Sequence, residues 1–189
     1  MQASIAQSLS QSRLMTGMPV ELMESLAERF GETRDVPAGE VFKKAGDEAV
    51  AAFLVRSGNV QVSENRGLAD GAYAYTVGQG EIVGVPALLN GGEESAEFRA
   101  AEDTTLASLD RPQFDDWLSS HSEYRSALAL NAGLDQQFHL LRKTQLFAEL
   151  NAIDLFVLVR ELTPCFERHD SGDHLFHEND AAKSAFLVA

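Results

Sequence analysis

The sequence contains a single cysteine, Cys165, so the chain cannot form an internal disulfide bond, and we expect this thiol to be buried and inert. Basic residues are also scarce: 15 lysines and arginines stand against 29 acidic residues, which gives a formal net charge of −14. Because a nucleic-acid-binding surface needs clustered lysine and arginine, this balance argues against a nucleic acid partner. The sequence has no apolar run of about 18 residues and no signal peptide, which predicts a cytoplasmic protein.

Motifs for catalysis and metal binding are missing too. The sequence has no phosphate-binding loop ending in Gly-Lys-Ser, no nucleophile elbow and no zinc-peptidase helix. The acidic pair Glu93-Glu94 is expected on the solvated surface, because carboxylates need apolar enclosure to act as acid and base. Three histidines, His169, His174 and His177, share one acidic run, but in a strand residues 174 and 177 face opposite sides. We therefore predict no enzyme, no metal site and no cofactor.

Short strands with glycine-bearing turns dominate the first half of the chain. The apolar pattern predicts a helix over residues 20–30, followed by strands between turns that carry Gly39, Gly46, Gly58 and Gly71. The predicted strands are residues 40–43, 52–56, 60–62, 72–77, 81–83 and 106–109. Short strands at this spacing are typical of a small barrel or roll, so the predicted fold class is mainly β with flanking helices.

Helices return after residue 110. Pro112 is expected to begin one helix, and Ser120 with Glu123 forms a capping-box pattern at the start of the next. This second helix carries apolar residues at three- and four-residue steps along one face. The face either packs against the parent barrel or forms a homodimer through residues 122–145.

The beginning of the chain is repeated near its end. A shift of 133 positions aligns Gly39 with Gly172 and residues 52–55 with residues 185–188. A copy that stops there cannot close a barrel, so we expect a longer parent protein or a partner that completes the fragment. The predicted segments are a loose tail (1–18), a first domain (19–121), a connecting helix (122–148) and a truncated second copy (149–189).

Several stretches together resemble the cyclic-nucleotide-binding domain family. They are Gly39, Gly46-Asp47, residues 53–60, residues 80–84 and residues 87–89. The resemblance covers about residues 19–120, and its start is repeated from about residue 149. It implies a jelly-roll-like β-roll flanked by helices, in which a short helix after residue 84 forms a phosphate-binding cassette.

The cassette departs from the family pattern at its two ligand-binding positions. In functional members, the cassette glycine is followed by a glutamate that binds the ribose hydroxyl, and an arginine ten residues after the glycine binds the cyclic phosphate. Here these positions hold Val85 and Glu94. Two unit charges about 4 Å apart interact by about 4 kcal/mol at an effective dielectric of about 20, so a like charge would lower phosphate affinity strongly. No lysine or arginine lies between Arg66 and Arg99, and Arg99 has an offset that points it to the opposite face.

We expect eight residues to line this degenerate pocket: Gly84, Val85, Pro86, Ala87, Leu88, Glu94, Ser95 and Ala96. Three interpretations remain open. The short helix fills the barrel mouth with its own apolar side chains, the pocket accepts a less anionic or apolar small ligand, or a cyclic nucleotide binds in an unusual pose.

These features predict a non-catalytic regulatory or protein-interaction module of a larger bacterial transporter or signalling protein. The alternative is a functional sensor of cyclic AMP or cyclic GMP with an atypical pocket. The segment 80–89, with the helical region around residues 146–156, is similar to the amino-terminal cytosolic part of some type I secretion or peptide-exporting ABC transporters. In that case the chain would be the cytosolic part of an inner-membrane protein and would reach the membrane only through domains beyond residue 189.

Overall fold

Short strands and helices alternate along the part of the chain that the structure describes. A computed structural model describes residues 4–64, 73–142, 144–147, 149–162 and 172–175, and it comprises two units, Met1–Asp135 and Gln136–Ala189. The described strands are β1 (Thr33–Val36), β2 (Val41–Lys43), β3 (Ala51–Ser57), β4 (Val60–Glu64), β5 (Tyr73–Val77), β6 (Ile82–Val83), β7 (Ala96–Ala100) and β8 (Thr104–Asp110). The described α-helices are α1 (Ile5–Leu9), α2 (Val20–Ala27), α3 (Val85–Asn90), α4 (Arg111–Ser120), α5 (Arg125–Arg142) and α6 (Ala152–Leu162).

The strands form two antiparallel sheets of four strands each. Their orders are β1-β8-β3-β6 and β2-β7-β4-β5. In the first sheet Leu54 of β3 lies opposite Ala107 of β8, and in the second Val62 of β4 lies opposite both Tyr75 and Phe98. This arrangement confirms the predicted mainly β roll with flanking helices.

The space between the two sheets is filled by apolar side chains of both. The Phe42 ring meets Phe53 edge-on at 5.3 Å between centroids and lies 6.0 Å from Phe98. Valine and alanine side chains from both sheets complete the cluster. The guanidinium of Arg34 caps the aromatic group, 5.7 Å from the Phe42 centroid and 5.8 Å from that of Phe53. Apolar residues of the described strands therefore pack against one another between the two sheets.

A second apolar cluster joins the helices to the roll. Phe114 and Trp117 of α4 are fully buried there, 6.2 Å apart between ring centroids. The indole Nε1 of Trp117 donates to the hydroxyl of Ser25 at 2.9 Å, so the buried polar end of the ring is satisfied. This cluster holds α2 and α4 together beside the short helix α3.

The composition of the first 18 residues predicts a loose tail that becomes helical when something packs on it, and residues 4–18 are in that packed, partly helical form. The segment forms α1 and a 3-10 turn at Arg13–Met15, and Leu9, Leu14, Met15 and Met18 are buried in the helix-facing cluster. The physical reason is that four apolar side chains, spaced along a polar segment, provide enough apolar area to hold it against the roll.

The helices after β8 begin differently from the sequence prediction. α4 begins at Arg111, close to the expected start at Pro112. The predicted capping box is wrong, because the hydroxyl of Ser120 donates to the Asp116 carbonyl, and a 3-10 turn at Ser122–Tyr124 precedes α5. α5 then runs from Arg125, inside the predicted connecting helix.

The second unit contains the helix α6, which begins after Asn151. The side chain of Asn151 accepts a hydrogen bond from the Asp154 backbone N–H at 2.9 Å, which is an N-cap for α6. Leu155 and Val159 of α6 are fully buried. The strands expected for a second copy, together with Cys165, His169 and His177, lie outside the described residues. Among the described helices, none combines the length and apolar composition needed to cross a bilayer.

Candidate functional site

The cassette is built on a glycine with a left-handed backbone. Strand β6 leads into Gly84, which has φ 90° and is the N-cap of α3. A Cβ at this position would lie 3.1 Å from the Ala51 carbonyl oxygen and 3.3 Å from the Ala52 Cα. Only glycine fits both the backbone angle and this close approach to β3, so the prediction of a turn followed by a short helix is confirmed.

The side chains of α3 face the protein interior. Val85, Ala87, Leu88 and Leu89 are all buried in the helix-facing apolar cluster. Val85 holds the position after the cassette glycine, and its side chain has no group that could bind a hydroxyl. Pro86 also lacks a backbone N–H, which removes one of the donors at the start of the helix. α3 therefore packs its apolar residues into the helix-facing cluster and not between the two sheets, so the interpretation that it fills the barrel mouth stays a prediction.

Glu94 is buried, so the predicted surface location of this carboxylate is wrong. Its backbone is fixed on both sides by the turn between β2 and β3: Gly46 N–H donates to the Glu94 carbonyl at 2.8 Å, and Glu94 N–H donates to the Asp47 carbonyl at 2.8 Å. These bonds turn the side chain inward, where the residue is 4% exposed. Glu93 stays exposed beside it.

The Glu94 carboxylate lies over the cassette glycine. A Cβ on Gly84 would be 3.3 Å from Glu94 Oε1, and in the described structure this oxygen is buried without a hydrogen-bond partner. The residue in the place of the phosphate-binding arginine therefore reaches the cassette, as its position in the sequence predicts. It brings an acceptor oxygen where an arginine would bring donors.

Burial raises the pKa of Glu94 to about 7. The positive charges of Lys43 and Arg111 lower this pKa, and the Asp47 carboxylate raises it. The sequence analysis missed both cations, because they come from β2 and α4. Each is anchored to the backbone beside the cassette: Lys43 Nζ donates to the Glu48 carbonyl at 2.6 Å, and Arg111 Nε donates to the Ala49 carbonyl at 2.7 Å. In the sequence, these two cations are marked only by their positions: Lys43 is the last residue of β2, and Arg111 directly follows β8.

The remaining predicted site residues contribute little polar chemistry. Ser95 is exposed, and Ala96 is buried between the sheets as the first residue of β7. Arg99 also belongs to β7, and its Nη2 donates to the Glu97 carboxylate at 2.9 Å. The structure thus brings Gly84 and Glu94 together and leaves Arg99 in an ion pair of its own.

A second carboxyl with a raised pKa, the half-buried Glu81, lies just before β6 and was also missed. Arg13 contacts it with 2.7 Å between Nη1 and Oε1, and contacts Asp135 with 2.6 Å between Nε and Oδ1. Burial raises the pKa of Glu81 to about 7; Arg13 lowers it and Asp135 raises it. This cluster ties the amino-terminal segment to both β6 and α5.

A metal centre has no support in the described ranges, where no group of three histidine, cysteine, aspartate or glutamate side chains is arranged to hold an ion. His174 is described, but the other two histidines of its run are not.

The family profile described as "Cyclic nucleotide-binding domain" matches residues 33–121. This segment is similar to that family and has its β-roll fold. The match begins with β1 and ends just after α4, so it includes the whole roll, the cassette and Glu94.

The chain is similar to a curated protein and to a solved structure, both from Thermus thermophilus. The Cyclic AMP receptor protein of Thermus thermophilus is 33% identical over 103 residues, which are 54% of this chain and 47% of that protein. The chain therefore spans about half the length of that relative. The solved Thermus thermophilus Catabolite Activator Protein has a TM-score of 0.53 and 27% identity, covering 79% of this chain and 63% of that one.

A more distant structure has the same fold. The regulatory domain of Toxoplasma gondii PKA, crystallised with cAMP, has a TM-score of 0.56 at 16% identity, covering 82% of this chain and 56% of that chain. At this identity the likeness concerns the fold of the cyclic-nucleotide-binding-type domain and leaves the ligand open.

Proposed function

We propose that this chain is a non-catalytic regulatory or protein-interaction module, whose cyclic-nucleotide-binding-type domain does not bind a cyclic nucleotide. The observation that carries the proposal is the Glu94 carboxyl, buried over Gly84 with one oxygen lacking a partner. A cyclic phosphate at this position would meet an acceptor oxygen instead of donors, and above pH 7 it would meet a negative charge.

The nearby cations do not replace the missing arginine. Lys43 and Arg111 lower the pKa of Glu94, which indicates that their positive charge is directed in part at this carboxyl. Each already donates to a backbone carbonyl, so a phosphate would compete for them with Glu94 and with the backbone. Val85 offers nothing for a ribose hydroxyl, and Pro86 offers no N–H.

The alternative function is a cyclic-nucleotide sensor with an atypical pocket. The relative named as a cyclic AMP receptor favours it, since 33% identity extends over 103 residues of the chain. The alternative requires the Glu94 side chain to leave its place over Gly84, or to bind the ligand in its protonated form, where its hydroxyl can donate to a phosphate oxygen.

Calorimetry on the 189-residue chain separates the two functions. We expect no heat of binding with cyclic AMP or cyclic GMP at pH 8, because Glu94 is then largely ionised. The double variant Val85→Glu/Glu94→Arg should restore the two polar groups and raise affinity by at least about 100-fold, since it replaces repulsion by attraction. The matched control is Val85→Glu/Glu93→Arg, which adds the same charges but places the guanidinium on an exposed residue.

Micromolar binding of either nucleotide by the unaltered chain would overturn the proposal. Equal gains in the two double variants would show that charge alone, and not the geometry of the cassette, controls binding.

The wider setting of the module is part of the same proposal. We place it in a bacterial transporter or signalling protein, on the similarity of residues 80–89 and the helical region around residues 146–156 to ABC transporters. A homodimer through residues 122–145 stays a prediction. So does the truncated second copy, whose strands lie outside the described residues.

A further inference from the structure

A groove lies on the far side of the cassette helix, between the end of α3, the outer face of α4 and the beginning of α5. Its volume is about 430 Å³, which is in the range of small-molecule sites. It is lined by Leu88, Leu89, Asn90, Gly91, Arg111, Asp115, Leu118, Ser119, Ser122 and Arg125. The three leucines are buried and give the groove an apolar floor, while the other side chains give it polar walls.

Two guanidinium groups stand in these walls, and both bind the end of α3. Arg111 Nη1 donates to the Leu88 carbonyl at 3.3 Å, and Arg125 Nη1 donates to the Leu89 carbonyl at 3.1 Å. A guanidinium has five N–H donors, and these bonds, with the one from Arg111 Nε to Ala49, use two donors of Arg111 and one of Arg125. Donors of both arginines therefore remain for a further acceptor.

The two arginines also differ in their partners from other arginines of the chain. Arg13, Arg29 and Arg99 each form an ion pair with a carboxylate. Among the described residues, no carboxylate oxygen lies within 4.0 Å of Arg111 or Arg125, although acidic residues outnumber basic ones by 29 to 15. Two positive charges thus share one groove. Among the described residues Arg125 has no carboxylate within ion-pair distance, while the charge of Arg111 also acts on Glu94 from beyond that distance.

Asp115 lines the same groove and carries the opposite sign. It leaves the groove with one net positive charge, counted over its two arginines and one aspartate. The hydroxyls of Ser119 and Ser122 add acceptors and donors at the wall. An occupant would therefore need an anionic group directed at the arginines and an apolar body over the leucine floor.

We propose that this groove binds a small organic oxyanion, a carboxylate or a phosphate monoester with a short apolar body. The planar donor fork of arginine matches the oxygens of either group. Such a ligand would contact α3, α4 and α5 at once, through residues that do not include the cassette glycine or Glu94. The proposal does not rest on the loss of cyclic nucleotide binding, although the groove shares Arg111 with the surroundings of Glu94.

The test is a titration of the isotopically labelled chain, followed through the arginine Nε–Hε signals in proton–nitrogen NMR spectra. The probes are phenyl phosphate, benzoate and the neutral benzyl alcohol, which share an aromatic body and differ in the head group. We expect saturable shifts of the Arg111 and Arg125 signals with at least one of the two anions, with a dissociation constant in the low millimolar range, and none with the alcohol. Comparison of the two anions identifies the preferred head group.

Three variants make the result specific to the groove. Arg125→Gln should weaken binding about tenfold, because it removes one charged donor, and Asp115→Asn should strengthen it about threefold, because it removes a repulsive charge. Arg99→Gln removes an arginine from the outside of the roll and should leave binding unchanged. Arg125 and Asp115 are exposed, so both variants are expected to fold.

Absence of saturable shifts with both anions would overturn the proposal, as would equal shifts with benzyl alcohol. Equal weakening by Arg99→Gln and Arg125→Gln would also overturn it, since binding would then follow net charge and not the groove.

Discussion

Glu81 lies just before the cassette and Glu94 just after it. Burial raises the pKa of each to about 7. Their surroundings differ. Glu81 has the Arg13 guanidinium at 2.7 Å, whereas Glu94 Oε1 has no hydrogen-bond partner in the described structure. Glu81 therefore holds the amino-terminal segment in place through Arg13. Glu94 occupies a position at which the fold itself does not need a charge. Burial of an acid alone does not indicate its role; the partner does.

The largest loss of stability is expected from removal of Arg13, whose guanidinium pairs with Glu81. Arg13→Ala leaves two carboxylates, Glu81 and Asp135, without the cation between them, and should lower the free energy of unfolding by about 3 kcal/mol at pH 8. The measurement is urea denaturation. Arg29→Ala breaks an exposed pair with Asp116 and is the control, with an expected change of about 0.5 kcal/mol or less. Equal losses would mean that the Glu81 cluster is no more than a surface ion pair.

A smaller loss of stability is expected from a substitution of Gly84, the glycine that lies against Glu94. Gly84→Ala places a methyl group against the Ala51 carbonyl at φ 90° and should cost roughly 2 kcal/mol. Gly91→Ala, at φ 68° with no atom near the new Cβ, isolates the backbone strain and should cost roughly 1 kcal/mol. Thermal or urea unfolding of the pair measures the difference. If Gly84→Ala were the milder change, the close approach of β3 to the cassette would be wrong.

The smallest effect concerns pH and separates the two acids directly. Because the pKa of about 7 in the folded state exceeds the ordinary glutamate value of 4.5, the folded chain holds these protons more tightly. The resulting stabilisation is complete below about pH 4.5 and is lost as the pH rises through about 7. Glu94→Gln should remove its part of this loss and stabilise the chain by roughly 1 to 2 kcal/mol at pH 8, after allowance for solvent screening.

Glu81→Gln should give a smaller gain than Glu94→Gln at pH 8, because it also gives up the contact with Arg13. Urea midpoints between pH 4 and pH 8 measure both profiles, and the exposed Glu93→Gln provides the baseline. An unchanged profile in Glu94→Gln would mean that its carboxyl is solvated after all.

The sequence predicted the roll and the cassette because their signals are local. Glycines at turn positions and alternating apolar residues located most of the strands, and the segment after Gly84 identified α3. β1 and β7 were missed. β1 is an edge strand with only Val36 buried, so it lacks the alternating pattern, and in β7 Phe98 is the one large apolar residue among the alternating buried positions.

The environment of Glu94 could not be predicted in the same way. Its burial follows from two backbone bonds to the Gly46-Asp47 turn, and its electrostatics follow from Lys43 and Arg111. All of these contacts join residues that are distant in the sequence. The helices of the amino-terminal segment could not be located in the sequence for a related reason. Its apolar residues are too sparse to give a periodic signal, but they are sufficient once a surface is available.

The left-handed turn at the start of α3 has a consequence for how ancestry is inferred. Its glycine is required by the carbonyl of β3, whatever occupies the cavity above it. A protein with this fold can therefore lose its ligand and still need the glycine. The glycine indicates shared ancestry, whereas the charge of the residue ten positions later indicates whether a cyclic phosphate can bind.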